Sequence, residues 1–105
     1  MTNPVETQGT IHTWADSVLG PGAPQSIARR LTEEFGELME ALAADPLAKL
    51  ASTHEEAADV GILLMRFASV SGFHLPAKIN EKMAVNRKRK WVSSGDGTGQ
   101  HVAIE

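Results

Sequence analysis

The 105-residue chain holds 42% hydrophobic and 22% charged residues and carries a net charge of −3, proportions of a single globular domain whose small core makes self-association a source of further burial. It has no cysteine, which excludes a disulfide framework and a thiolate metal site. Its longest apolar run, Val60 to Met65, falls short of the roughly 20 residues a membrane span needs, and its opening residues lack the basic and apolar regions of a signal peptide. The expected setting is cytoplasmic, with no membrane partner.

In chain order, Ile11, Trp14, Ala15 and Val18 mark an amphipathic helix over about residues 7–19, stopped by Gly20. Gly20 to Pro24 reads as a loop. A second helix starts near Pro24, a residue suited to a first turn, and runs to about Ala44 before Asp45-Pro46 halts it. Its apolar stripe is Ile27, Leu31, Phe35, Leu38 and Leu42. The short link to Ser52 favours an antiparallel pair. Thr53 and Glu56 have the spacing of a capping box, opening a third helix that closes near Gly72. Within it Val60, Leu63, Phe67 and Val70 form the core stripe, and one turn before Val60 the same stripe reaches Glu56. A fourth helix is expected from Pro76 to about Arg89, with Ile79, Met83 and Val85 apolar and Lys78, Lys82, Asn86 and Arg89 on one polar stripe. Met39, Met65 and Met83 read as core. Residues 92–105 read as a flexible tail or arm behind a domain core of about residues 7–91.

Charge is segregated along this plan. Eight acids and one lysine lie between Glu33 and Asp59, whereas six bases and one acid lie between Lys78 and Lys90. Residues three apart on a helix share a face, so Glu34 with Glu37, and Glu56 with Asp59, each present two carboxylates in one direction. On antiparallel neighbours the four converge. Such a cluster calls for a cation, and an all-oxygen donor set selects a hard ion such as Mg²⁺ or Mn²⁺. A polyphosphate is the natural co-ligand of that ion, and Lys82, Asn86 and Arg89 supply the donors it needs. Trp14 is placed either to stack on a nucleobase or, at its helical spacing, to pack. Arg66 is a candidate partner for an acid of a neighbouring helix.

Three blocks, Leu31-Thr-Glu-Glu-Phe-Gly-Glu-Leu-Met-Glu-Ala41, Glu55-Glu-Ala-Ala-Asp-Val-Gly-Ile-Leu-Leu64 and Lys82-Met-Ala-Val-Asn-Arg-Lys-Arg-Lys-Trp91, resemble in order and spacing the motifs of the MazG-like nucleoside triphosphate pyrophosphohydrolases, an all-α superfamily that also contains dimeric dUTPases. The resemblance covers about Ile11 to Trp91. It implies a four-helix bundle completed by dimerisation, as a homodimer or tetramer, and hydrolysis of a nucleoside triphosphate to the monophosphate and pyrophosphate. It further implies Mg²⁺, for which Mn²⁺ substitutes, held by Glu34, Glu37, Glu56 and Asp59. Glu33 would orient or deprotonate the attacking water, and Lys82, Asn86, Arg89 and Trp14 would contact substrate.

A rival class is a small helical nucleic-acid-binding or interaction module using Arg87 to Lys90. The acidic net charge and the scarcity of aromatics among those bases weigh against nucleic acid as a partner.

Overall fold

The computed structural model describes residues 4–103. Four helices and one strand pair occur among them: α1 (Gln8–Leu19), α2 (Pro24–Ala44), α3 (Ala51–Val70), α4 (Leu75–Lys88), β1 (Trp91–Ser93) and β2 (Gly99–His101). The fold class is all-α, as expected. The chain groups into two compact units, one ending at Leu75 and one beginning at Pro76. No single described helix is long and apolar enough to cross a membrane.

In the first unit α3 packs against both α2 and α1. α3 runs antiparallel to α2: Glu34 meets Glu56 and Asp59, Leu31 lines one groove with Val60 and Leu64, and Ile27 shares a cleft with Arg66. α1 begins with a capping box in which the Thr7 hydroxyl accepts from the Thr10 backbone N–H (3.2 Å) while the Thr10 hydroxyl accepts from that of Thr7 (2.8 Å). It ends at Gly20, whose φ of 82° suits a residue without a Cβ. Gln8 is buried and fully engaged. Its amide donates to the Ser69 hydroxyl (3.1 Å) and the Phe73 carbonyl (2.7 Å), and its oxygen accepts from the Leu75 N–H (2.7 Å), so the start of α1 is tied to the end of α3.

α3 begins earlier than the capping box predicts, with Leu50 as N-cap and no side-chain cap. Thr53 is instead buried in the first turn, and its hydroxyl donates to Asp45 Oδ2 (3.1 Å), which also accepts from the Leu50 N–H (2.8 Å). Asp45 thereby joins the C-terminal end of α2 to the start of α3.

The buried apolar side chains among the described residues are few: Ala15, Ile27 and Ala68. Several residues expected inside are open to solvent, among them Val18, Phe35, Met39 and Met83. On α2 the inward stripe is Ile27, Leu31, Glu34, Leu38 and Leu42, so Glu34 rather than Phe35 takes the inward position on that turn. At Gly36 a Cβ would meet nothing within 4 Å, and close helix approach does not explain this glycine.

In the second unit β1 and β2 pair antiparallel, with Trp91 opposite His101. Part of the segment expected as a tail is thus a hairpin, while residues 104–105 lie outside the described residues. Trp91 packs edge-on to His101 with ring centres 5.8 Å apart, and its indole N–H donates to the Asn86 carbonyl (2.7 Å).

Asp45 is held below the ordinary carboxylate range by the Leu50 N–H first and by further donors including the Thr53 hydroxyl. A depressed acid contributes stability above its unfolded pKa and loses it as pH falls through the folded value. Asp45→Ala is therefore expected to lower the melting temperature at neutral pH, with the gap to wild type closing below about pH 4, as followed by circular dichroism.

Candidate metal centre

Two inward stripes meet between α2 and α3, and each contains an acid. On α3 the stripe Thr53, Glu56, Val60, Leu63, Phe67 and Val70 is buried or half-buried throughout, so Glu56 continues the core side of its helix. Facing it on α2, Glu34 is only 7% exposed. Glu34, Glu56 and the more exposed Asp59 each offer a carboxylate oxygen, all within 4.8 Å of one another.

The fourth expected ligand, Glu37, lies outside that tight group but acts on it. Glu34 is pushed above the ordinary carboxylate range, first by the neighbouring Glu37 carboxyl, then by burial, with Arg30 pulling the other way. Glu56 is pushed up by burial first, then by the charges of Glu37 and Asp59. One oxygen each of Glu34 and Glu56 is buried without a hydrogen-bond partner. Buried acceptors of this kind are costly to leave unmet. Orphaned, all-oxygen and crowded by like charge, this donor set fits a hard divalent cation.

One arginine sits at the edge of the cluster. Arg30, one turn before Glu34, donates to Glu34 Oε1 (2.5 Å) and to Glu33 Oε2 (2.7 Å). Glu33 is accordingly on the exposed side of α2, paired with Arg30, and is not among the three grouped carboxylates. The sequence patterns did not single out Arg30, although its place three and four residues before two acids was the available signal.

Beside Glu34 opens a cleft of about 450 Å³, lined by residues that include Trp14, Gly22, Arg30 and Arg66. Trp14 is 56% exposed, so it is not a core side chain of the single chain. Arg66, expected to pair with an acid, is instead buried and donates to the Gly20 carbonyl (2.8 Å).

In the second unit Asn86 and Arg89 line a hollow of about 360 Å³ with Met83, Arg87 and Trp91, and Lys82 is not among its lining residues. The side-chain oxygen of Asn86 is buried without a partner.

No family model matches the chain. It is 33% identical over 98 residues to a dATP/dGTP diphosphohydrolase of Cyanophage S-2L, an alignment covering 92% of this chain and 86% of that protein. A second dATP/dGTP diphosphohydrolase, from Salmonella phage PMBT28, is 33% identical over 97 residues, which span 92% of this chain but 31% of that longer protein. Among solved structures it is similar to a Cyanophage S-2L MazG-like pyrophosphohydrolase bound to dGDP and three catalytic Mn²⁺ ions per active site, with a TM-score of 0.75, 28% identity and coverage of 93% and 91% of the two chains.

Acids with raised pKa values destabilise the metal-free fold as pH climbs from the ordinary carboxylate range through the raised values. Because a divalent ion competes with those protons, added Mn²⁺ or Mg²⁺ is expected to raise the melting temperature at neutral pH and to do so less as pH falls into the carboxylate range. Glu34→Gln and Glu56→Gln should melt higher than wild type without metal and lose most of the response to it.

Proposed function

The chain belongs to the MazG-like pyrophosphohydrolases, and on that premise we propose that it adds water across the bond between the α- and β-phosphates of deoxynucleoside triphosphates, releasing monophosphate and pyrophosphate. It is a nucleotide diphosphatase by its relatives. The observation that carries the assignment to this site is the meeting of Glu34, Glu56 and Asp59 on facing helices, with two buried oxygens left for a cation. The relatives' names support dATP and dGTP as the substrates.

In this reading Glu34, Glu37, Glu56 and Asp59 hold Mg²⁺ or Mn²⁺, which when bound supplies charge neutralisation for the phosphates and a water of lowered pKa. Glu33, next to Glu34 and sharing Arg30 with it, would orient or deprotonate the attacking water. Trp14 offers its exposed indole to the base, consistent with its place in the cleft that Glu34 also lines. Asn86 and Arg89, which share a hollow, and Lys82 contribute the neutral donor, the planar fork and the compact charge suited to phosphate and sugar oxygens.

A homodimer or tetramer completes the bundle. Supporting this, the single chain buries little large apolar surface and leaves Phe35, Met39, Ile62 and Leu64 open, and Phe35 and Leu64 line an apolar groove of about 300 Å³ between α2 and α3 with Leu31 and Val60. Sedimentation should give a dimer mass or a multiple of it, and Phe35→Glu should shift it towards monomer. A monomeric wild type would remove this element of the reading.

Incubation of dATP or dGTP with protein and Mg²⁺, followed by phosphorus NMR, is expected to show monophosphate and pyrophosphate. Glu37→Gln and Glu56→Gln should each lose at least about a hundredfold in turnover, the scale on which removal of one group stabilising transition-state charge acts. Products of diphosphate and orthophosphate, or full activity in both variants, would overturn the assignment.

A further inference from the structure

Arg66 is a buried guanidinium for which the metal centre has no use. It is 8% exposed, forms no ion pair with a carboxylate among the described residues, and its Nε is buried without a partner. Its Nη2 donates a hydrogen bond to the Gly20 carbonyl, 2.8 Å away across 46 residues of chain. An apolar side chain would fill this position without the desolvation penalty of a charge whose one protein hydrogen bond among the described residues is to a carbonyl and whose Nε has none. Stability alone therefore does not account for an arginine here.

The other end of that hydrogen bond is the α1–α2 loop, which is constrained three ways. Gly20 takes a positive φ that disfavours side chains. Its carbonyl is held by Arg66. Two residues on, Gly22 approaches so closely that a Cβ would lie 2.8 Å from Ile27 Cδ1 and 3.1 Å from Arg66 Nη2. Gly22, Arg66, Trp14 and Glu34 line the same cleft, whose volume of about 450 Å³ falls within the ~300–1,000 Å³ usual for small-molecule sites.

We propose that Arg66 is a positioning residue for nucleoside recognition: by holding the Gly20 carbonyl it sets the α1–α2 loop as a wall of the cleft that receives the base and sugar. This rests on the reading that the triphosphate is held at the Glu34 end of the cleft. If the phosphates are anchored by carboxylate-bound ions, the nucleoside is the part of the substrate that the loop can reach, so Arg66 governs discrimination between nucleotides and leaves phosphate chemistry alone.

The test compares wild type, Arg66→Met, Arg66→Lys and Gly22→Ala with Mg²⁺ on dGTP and on methyl triphosphate, which keeps the phosphates and lacks the nucleoside. Gly22→Ala keeps the arginine but sets a Cβ against its Nη2 and against Ile27 Cδ1. Arg66→Met and Gly22→Ala are expected to lose about ten- to a hundredfold in kcat/KM for dGTP, the scale of one hydrogen bond to a charged group, chiefly through KM. Their turnover of methyl triphosphate should match wild type, and Arg66→Lys, which keeps a charged N–H donor on the same helix position, should recover part of the loss. Calorimetric binding of dGMP should weaken by the same factor.

An equal fall on both substrates would show a merely structural role, and unchanged constants on both would show no role; either overturns the proposal. Should Arg66→Met fail to fold, Arg66→Lys and Gly22→Ala decide together, by the same comparison of the two substrates. Absence of pyrophosphate release by wild type would instead overturn the pyrophosphohydrolase reading, and the dGMP comparison would still decide the part played by Arg66.

Discussion

Carboxylates that face each other across the α2–α3 contact are the constraint on which the rest of this structure depends. Glu34 is nearly as buried as the Ile27 that precedes it on the same stripe, and Glu56 occupies the equivalent inward line of α3. A helix pair built for stability would carry leucines at these positions. Like charges placed on two core-facing stripes are repelled and desolvated at once, so the fold tolerates them only because packing elsewhere holds the helices together. The contacts that do so are local and specific: Gln8 locks the start of α1 to the end of α3, and Asp45 ties the two ends of the link between α2 and α3. Through these ties the helix termini determine where mid-helix acids meet.

Helix positions are legible in the sequence wherever chain-breaking chemistry is local. Gly20, Pro24, Asp45-Pro46 and Gly72 each act on their own backbone, and the observed ends of α1 and α2 and the end of α3 lie where those residues put them. The start of α3 departs from its expected place because Leu50 is the N-cap, which puts Thr53 in the first turn, where its hydroxyl donates to the carboxylate of Asp45, eight residues back, instead of accepting from a backbone N–H. The hairpin departs from expectation for a related reason. Ser-Ser-Gly-Asp-Gly-Thr-Gly looks like a linker by composition, yet Asp96 accepts from both the N–H and the hydroxyl of Thr98, giving the turn a fixed shape that lets three-residue strands pair.

At the site, spacing exposes the acids but not their depths. Treating Phe35 as the inward residue of its turn follows from hydrophobicity, whereas the stripe passes through Glu34 and leaves Phe35 more than half exposed. Hydrophobic ranking fails at the turn where the inward residue is an acid, Glu34. Arg30 is hidden by its ordinariness, since an arginine three or four residues before a glutamate is common on helix surfaces. Arg66 stands out in the sequence as a partner for an acid, whereas its partner is a loop carbonyl that no side-chain pattern reveals. The family resemblance locates the acidic motifs without assigning either arginine.

Charge accounting then explains why the cluster keeps its demand for cations. Arg30 approaches Glu34 and Glu33, yet Glu37 and Asp59 add their repulsion to the burial that already raises Glu56, and the free oxygens of Glu34 and Glu56 still lack partners. One shared guanidinium cannot balance four neighbouring carboxylates, and its ion pairs are with Glu33 and Glu34. A small divalent ion can, because its charge is concentrated and its oxygen ligands approach from several directions. Arg30 thus offsets part of the repulsion at one oxygen of Glu34, while the other oxygen of Glu34 and one of Glu56 stay without partners.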